Sequence, residues 1–373
     1  MTLSPAVHAR APLAPITAAP TSKPLSPDQP DLIPHRKVIR SWLEPIVKKN
    51  TAYAVFLVAL DLLLCAAAIS ATVLLSNPFP QMLAAMFTGL VIGRLFILGH
   101  DACHQSLTSH RRLNRWLGRL VFMPSLTPYS LWDVGHNVVH HGYTNLKDFD
   151  FVWQPYSLEA YEALPAWHKV LERVYRSGWA PWLYYGVEIC WKRMYFPSKA
   201  LIPTARKVFN ADCLLVTGVA VVWMASLVAA AFATGQSALW LLFVAFALPL
   251  FFWKALIGFV VYVHHTHTRV DRYDNKKDWS AASPFVSTTA YLKFGAGIGA
   301  ALHHIMEHTA HHVDMSVPLY RLKKAQALLE EKLPGKIIIQ RFSWAWYFQT
   351  ARRRKLYDFE RACWTDFTGR RTS

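Results

Sequence analysis

The chain has 373 residues, of which 53% are hydrophobic and 17% charged, against roughly 25% charged in an ordinary globular chain. That balance excludes an intrinsically disordered protein, and 16 Gly with 5 Cys exclude collagen-like and disulfide-built scaffolds. Forty Lys and Arg face 23 Asp and Glu, a net charge of +17; with no nucleic-acid motif beside it, that charge points to an anionic membrane face or an acidic partner.

In chain order, residues 1–34 come first, with eight prolines among Ala, Ser and Thr. They read as a disordered arm that buries no core. No apolar stretch follows Met1, so a cleaved signal peptide is not expected. Residues 35–373 form one membrane domain. Its apolar runs are 53–76, 79–98, 213–233 and 238–263, each at least 20 residues long, enough to cross a core about 30 Å thick. Asn77-Pro78 and Thr234-Gly235-Gln236-Ser237 join them pairwise. The expected fold is therefore all-α, with four transmembrane helices in two hairpins and a helical cap from 99–211 and 264–373. Pro249 should kink the fourth span. Within the cap, the aromatic stretches Trp116 to Trp132 and Trp179 to Phe196 should lie along the membrane interface.

Seven basic residues precede the first span, 13 lie between the hairpins and 18 follow the fourth span. The hairpin loops have none. This asymmetry puts both termini and the cap in the cytosol, and a bacterial inner membrane is the expected location. Five cysteines without C-x-x-C spacing agree with a reducing compartment.

All 17 histidines fall on the basic side. Three clusters stand out: His100 and His104; His136, His140 and His141; His308, His311 and His312. Residues three or four apart on a helix share a face, so each cluster can aim imidazoles at one place. His8, His35, His110 and His168 stand alone and read as ordinary core or surface residues. Eight clustered imidazoles are too many for one zinc and suit two metals of five or six coordination; imidazole itself leaves Fe, Zn, Cu and Ni open. None of the nine Glu has His three residues later, so a Glu-x-x-His di-metal bundle is excluded and the site is almost all-histidine. Asp101, Asn137, Glu307, Asp314 and His303 are candidates to orient the imidazoles. Cys103 reads as a packing residue, and Asp61 and Arg94 as a pair. The run Arg352 to Lys355 reads either as a contact for anionic lipid or an acidic donor, or as a solvated face.

The strings GHDACH, PYSLWDVGHNVVHHGYTN, HHTHTRV and EHTAHHVD resemble the membrane fatty acid desaturases, most of all the acyl-lipid omega-6 (delta-12) type, over roughly residues 40 to 365. The resemblance implies a di-iron centre of two iron ions, O2 as oxidant, and a lipid-linked acyl chain that gains a cis double bond. It also implies electrons from a ferredoxin or cytochrome b5-type donor. It favours His265 as a ninth ligand, leaving His264 as an extra residue and His267 in support or at the surface. The chain lacks the HPGG of a fused cytochrome b5 domain and has His308 where front-end desaturases have Gln, so the donor should be a separate protein. Related hydroxylases and ketolases share the histidine signature and form the alternative. A divalent-metal transporter is disfavoured because such sites lie near the bilayer midplane, and no histidine does.

Overall fold

The computed structural model describes residues 33–198, 207–282, 284–295 and 297–373; the Pro-rich arm lies outside them except for its last two residues. The described chain is mostly helical. Four helices are long and apolar enough to cross a membrane: α1 (Thr51–Leu74), α2 (Pro78–Cys103), α3 (Lys207–Thr234) and α4 (Ala238–His265). The side chains of Asn50, Asn77 and Ser237 accept hydrogen bonds from the backbone N–H of Tyr53, Phe79 and Trp240, satisfying donors that a helix start leaves free.

Helix α2 is the centre of the packing, in contact with α1, α4 and the helix Arg111–Phe122, while α3 meets mainly the first turns of α4. At the end away from the histidines, Gln81 donates to Thr72 O at 3.1 Å and to Gln236 Oε1 at 2.8 Å, and accepts from Trp240 Nε1 at 2.7 Å. These bonds satisfy polar groups where lipid offers no partner. Above them Ala85, Ala231, Leu241 and Val244 pack as a buried cluster. Asp61 of α1 is fully buried and pairs with Arg94 of α2 at 2.8 Å, as the sequence suggests.

The irregularity in α4 differs from a simple proline kink. A π-helical turn spans Phe243–Ala247, directly before Pro249. Proline has no N–H to donate and its ring crowds the carbonyl four residues back; a wider turn there absorbs both defects.

The rest of the chain surrounds the histidine-bearing ends of α2 and α4. It includes π-helical segments Val134–His140 and Tyr185–Met194 and helix α5 (His308–Val313). Two small sheets complete it. Strand β1 (Ala290–Lys293) runs parallel to β2 (Ile338–Arg341), and β3 (Leu356–Asp358) antiparallel to β4 (Cys363–Thr365). The two aromatic stretches are more than a surface layer. Trp116, Trp179 and Trp191 are exposed, but Phe122, Trp132, Tyr184, Tyr185 and Ile189 are buried, packed against α2 and α4. Nor is the 352–355 run a uniformly solvated face: Arg354 is buried and Lys355 Nζ donates to Arg176 O at 2.6 Å, because the chain turns inward there into β3.

Candidate metal centre

Each histidine cluster is delivered by a different local structure. His100 and His104 stand one turn apart at the end of α2. In the second cluster the backbone N–H of His141 donates to His136 O at 2.9 Å, a bond spanning five residues. This π turn brings the two rings together nearly at right angles, with Nε2 atoms 3.0 Å apart. It also sends His140 elsewhere. In α5, His308 and His312 are four apart and share a face, with Nε2 atoms 3.1 Å apart, while His311 points away from them.

The nine predicted histidines therefore do not assemble cluster by cluster. His100, His104, His136, His141 and His311 form one group, and His140, His265, His308 and His312 the other; within each, one ring nitrogen per residue lies within 4.8 Å of all the others. The second and third clusters are each split between groups. A helix displays neighbouring positions on different faces, so a ligand cluster in sequence is not a single site in space. His311 reaches His141 at 3.1 Å and His308 reaches His265 at 3.3 Å. These nitrogen–nitrogen separations match the roughly 3 Å between adjacent ligands around one metal at about 2.1 Å from each nitrogen.

The electrostatics agree with metal binding. Burial, then the neighbouring imidazoles, push the proton affinities of His104, His136, His141, His308, His311 and His312 well below the ordinary histidine range. The rings are thus held neutral, the form that ligates. His100 Nε2 and both nitrogens of His104 have no hydrogen-bond partner despite burial. Buried polar atoms left unpaired are costly, and a metal ion in the first group would pair His100 Nε2 and one nitrogen of His104. The residues present fit two metal ions, one in each group.

Supporting contacts orient several rings. His140 Nδ1 lies 3.0 and 3.1 Å from the Asp150 carboxylate oxygens, which leaves Nε2 for a metal. Asp150 is buried and also accepts from the N–H of Asn145 and Val152. It was not singled out in the sequence; its only signal is an acid set between Phe149 and Phe151, ten residues past His140. Thr144 Oγ1 lies 3.4 Å from His312 Nδ1, and Trp132 stacks on His136 with centroids 4.1 Å apart.

Of the predicted orienting residues, Asp101 lies 3.4 Å from His100 Nδ1 and accepts from Leu319 N. The others are committed elsewhere. Asn137 donates to Cys103 O and Asp133, Glu307 Oε1 meets His304, and His303 Nε2 sits 2.5 Å from Asp61. Asp314 Oδ1 accepts from Ser316. Among the described residues, none of these four side chains hydrogen-bonds to an imidazole of either group. His264 is buried and belongs to neither group; it stacks on His308 at 4.1 Å and 12°. His267 is buried against Gln340, and Cys103 is a buried packing residue outside both groups.

A largely apolar cavity adjoins both groups. Its lining includes His100 and His136 from the first, His140, His265 and His308 from the second, and Phe96, Tyr185, Ile189, Met194, Ile257 and Val260. A slender apolar molecule here would lie against the edges of both groups at once.

The sequence model of the fatty acid desaturases matches residues 76–344, a stretch that contains all nine histidines. Among curated proteins, the chain is 26% identical to an sn-1 oleoyl-lipid 12-desaturase of Synechocystis sp., covering 74% of this chain and 75% of that one. It is 27% identical to a chloroplastic omega-6 fatty acid desaturase of Spinacia oleracea, over 67% and 53% of the two chains. It is also 27% identical to the omega-3 fatty acid desaturase fat-1 of Caenorhabditis elegans, over 66% and 60%. Four apolar helices, paired imidazole groups beside an apolar cavity and this match agree: the chain belongs to the fatty acid desaturase family, and is a membrane-associated oxidoreductase that desaturates fatty acyl chains.

Proposed function

We propose that the protein binds two iron ions, one within each imidazole group, and uses O2 to place a cis double bond in a lipid-linked acyl chain. The observation that carries this reading is the apolar cavity bordered by five imidazoles drawn from both groups. Iron bound there supplies the one chemistry that side chains lack, an oxidant made from O2 that can break an unactivated methylene C–H bond. The protein's own part is positional. Its neutral imidazoles bring no negative charge, Asp150 and Trp132 fix ring orientation, and the apolar wall excludes water and holds two adjacent methylenes beside both groups. Two hydrogens leave neighbouring carbons, and O2 with two further electrons and two protons becomes two waters. The electrons come from a separate ferredoxin or cytochrome b5-type donor.

Four spans in two hairpins, with both termini and the imidazole groups on the cytosolic face of a bacterial inner membrane, accord with the basic residues flanking the spans and absent from the loops at Asn77 and Gln236. The sn-1 oleoyl-lipid 12-desaturase among the relatives favours a glycerolipid acyl substrate.

The test is expression in a host lacking the activity, with lipid extraction, double-bond mapping and elemental analysis of the pure protein. New monounsaturated or diunsaturated chains and two irons per chain are expected. An oxygenated product would replace the reading with a hydroxylase or ketolase, and one zinc without iron would end it. Asp150→Ala should cost about 10–100-fold in metal affinity or activity, read by metal titration. His265→Ala should lose iron where His264→Ala retains most of it.

A further inference from the structure

The cavity beside the imidazoles has one wall built from the two π-helical segments. In such a turn, residues five apart fall on one side. Gly135 therefore lines the cavity with His140, and Ile189 with Met194. Gly135 has no side chain, and what it omits is informative. A Cβ there would stand 3.3 Å from Met194 Cε and 3.4 Å from Phe151 Cζ. Three residues from three separate segments thus meet at one point of the wall, one residue before the ligand-bearing His136.

Their mechanical characters differ. The Phe151 ring lies against the Arg193 guanidinium at 4.6 Å, which restrains it. Met194 is buried, but its thioether end is flexible and fills gaps adaptively. Gly135 leaves slightly less than one methyl group of room between a restrained ring and an adjustable chain end. None of the three carries a group that could move a proton in the reaction, and the one donor atom among them, the soft thioether of Met194, is unlike the imidazoles that build both groups, so their contribution to an acyl site is shape.

We infer that Gly135, Phe151 and Met194 determine acyl selectivity: their meeting point fixes how much chain extends past the methylenes held beside the imidazoles. The inference rests on the proposed reading of the cavity as the acyl site. Adding bulk at this point admits less chain, and removing it admits more. One methylene in an apolar pocket changes discrimination by about 10–200-fold, so the ratio of products from two chains is a sensitive readout.

The experiment expresses the full-length chain in a host supplying saturated or monounsaturated acyl chains that differ by two methylenes. Wild type is compared with Met194→Trp, Met194→Ala and Phe151→Leu. Metal content is measured on each, and product ratio and double-bond position on the lipids. Met194→Trp should shift the ratio toward the shorter chain by about 10-fold or more. Met194→Ala and Phe151→Leu should shift it toward the longer chain or move the double bond. Should Met194→Trp fail to retain metal, the two cavity-enlarging variants decide. Wild-type ratios and positions in metal-replete variants overturn the inference and leave the desaturase reading standing. Absence of any unsaturated product from wild type instead removes the reading of the site.

Discussion

Helices α2 and α3 are nearly matched in length, 26 and 28 residues, and α3 is the more apolar, yet 61% of the most apolar stretch of α2 is buried inside the protein and only 17% of that of α3. In a membrane, apolar side chains are demanded by lipid and by protein alike, so apolarity does not say which of the two a helix faces. What distinguishes α2 is its exceptions. It carries Arg94, buried glycines and His100, with His104 capping its end; α3 has Asp212 near its start and little else that must be satisfied. The inner helix is built around contacts, the outer one around solubility in lipid.

Five substitutions can break the comparison. His100→Ala removes an imidazole of α2 from the five-membered group; activity should fall more than about 100-fold, beyond the effect of losing a supporting residue, with metal lost on elemental analysis. Retention of both metals would leave α2 no more functional than α3. Next, Arg94→Ala strands Asp61, which is fully buried and keeps His303 alone as an ion-pair partner among the described residues. Thermal unfolding in detergent should register about 3–5 kcal/mol of destabilisation. Arg119→Ala, facing Asp212 of α3 from a side chain 23% exposed, should cost clearly less.

The two smallest effects come from a pair of glycines. A Cβ on Gly99 of α2 would sit 2.2 Å from Phe122 Cε1, so Gly99→Ala forces the ring aside and should destabilise by about 1–3 kcal/mol. A Cβ on Gly218 of α3 would meet nothing within 4 Å. Gly218→Ala should leave the melting temperature unchanged or raise it slightly, by up to about 1 kcal/mol of helix propensity. Equal losses at the two positions would erase the distinction between inner and outer helix.

The long helices were legible because each is a sustained apolar run, three of them behind a capping side chain. The reach of α2 through Cys103 and of α4 to His265 follows from those runs continuing into the histidines. The identity of the clustered histidines was legible too, since local spacing is all that identifies a cluster. Their partition was not. Which of His136, His140 and His141 face together depends on a π turn, and a π turn has no periodic signature in seven residues. Asp150 was missed for a related reason. Its partner is set by a loop that folds back on His140, and nothing local marks a carboxylate as buried. His303 erred in the opposite direction: a histidine near the third cluster looks like support for it, but its ring is claimed by Asp61, 242 positions earlier.

One feature of the two imidazole groups bears on how the protein is made. Each group draws on both halves of the chain, and each needs at least one residue from 308–312. Until a ribosome has made residues 308–312, each group lacks at least one of its imidazoles. The order of synthesis therefore places completion of both groups after all four long helices have been made. A polypeptide truncated anywhere before His308 can enter the lipid but cannot complete either group. Completion of the two groups is in this sense a record that synthesis ran through the third cluster and that the distant segments docked.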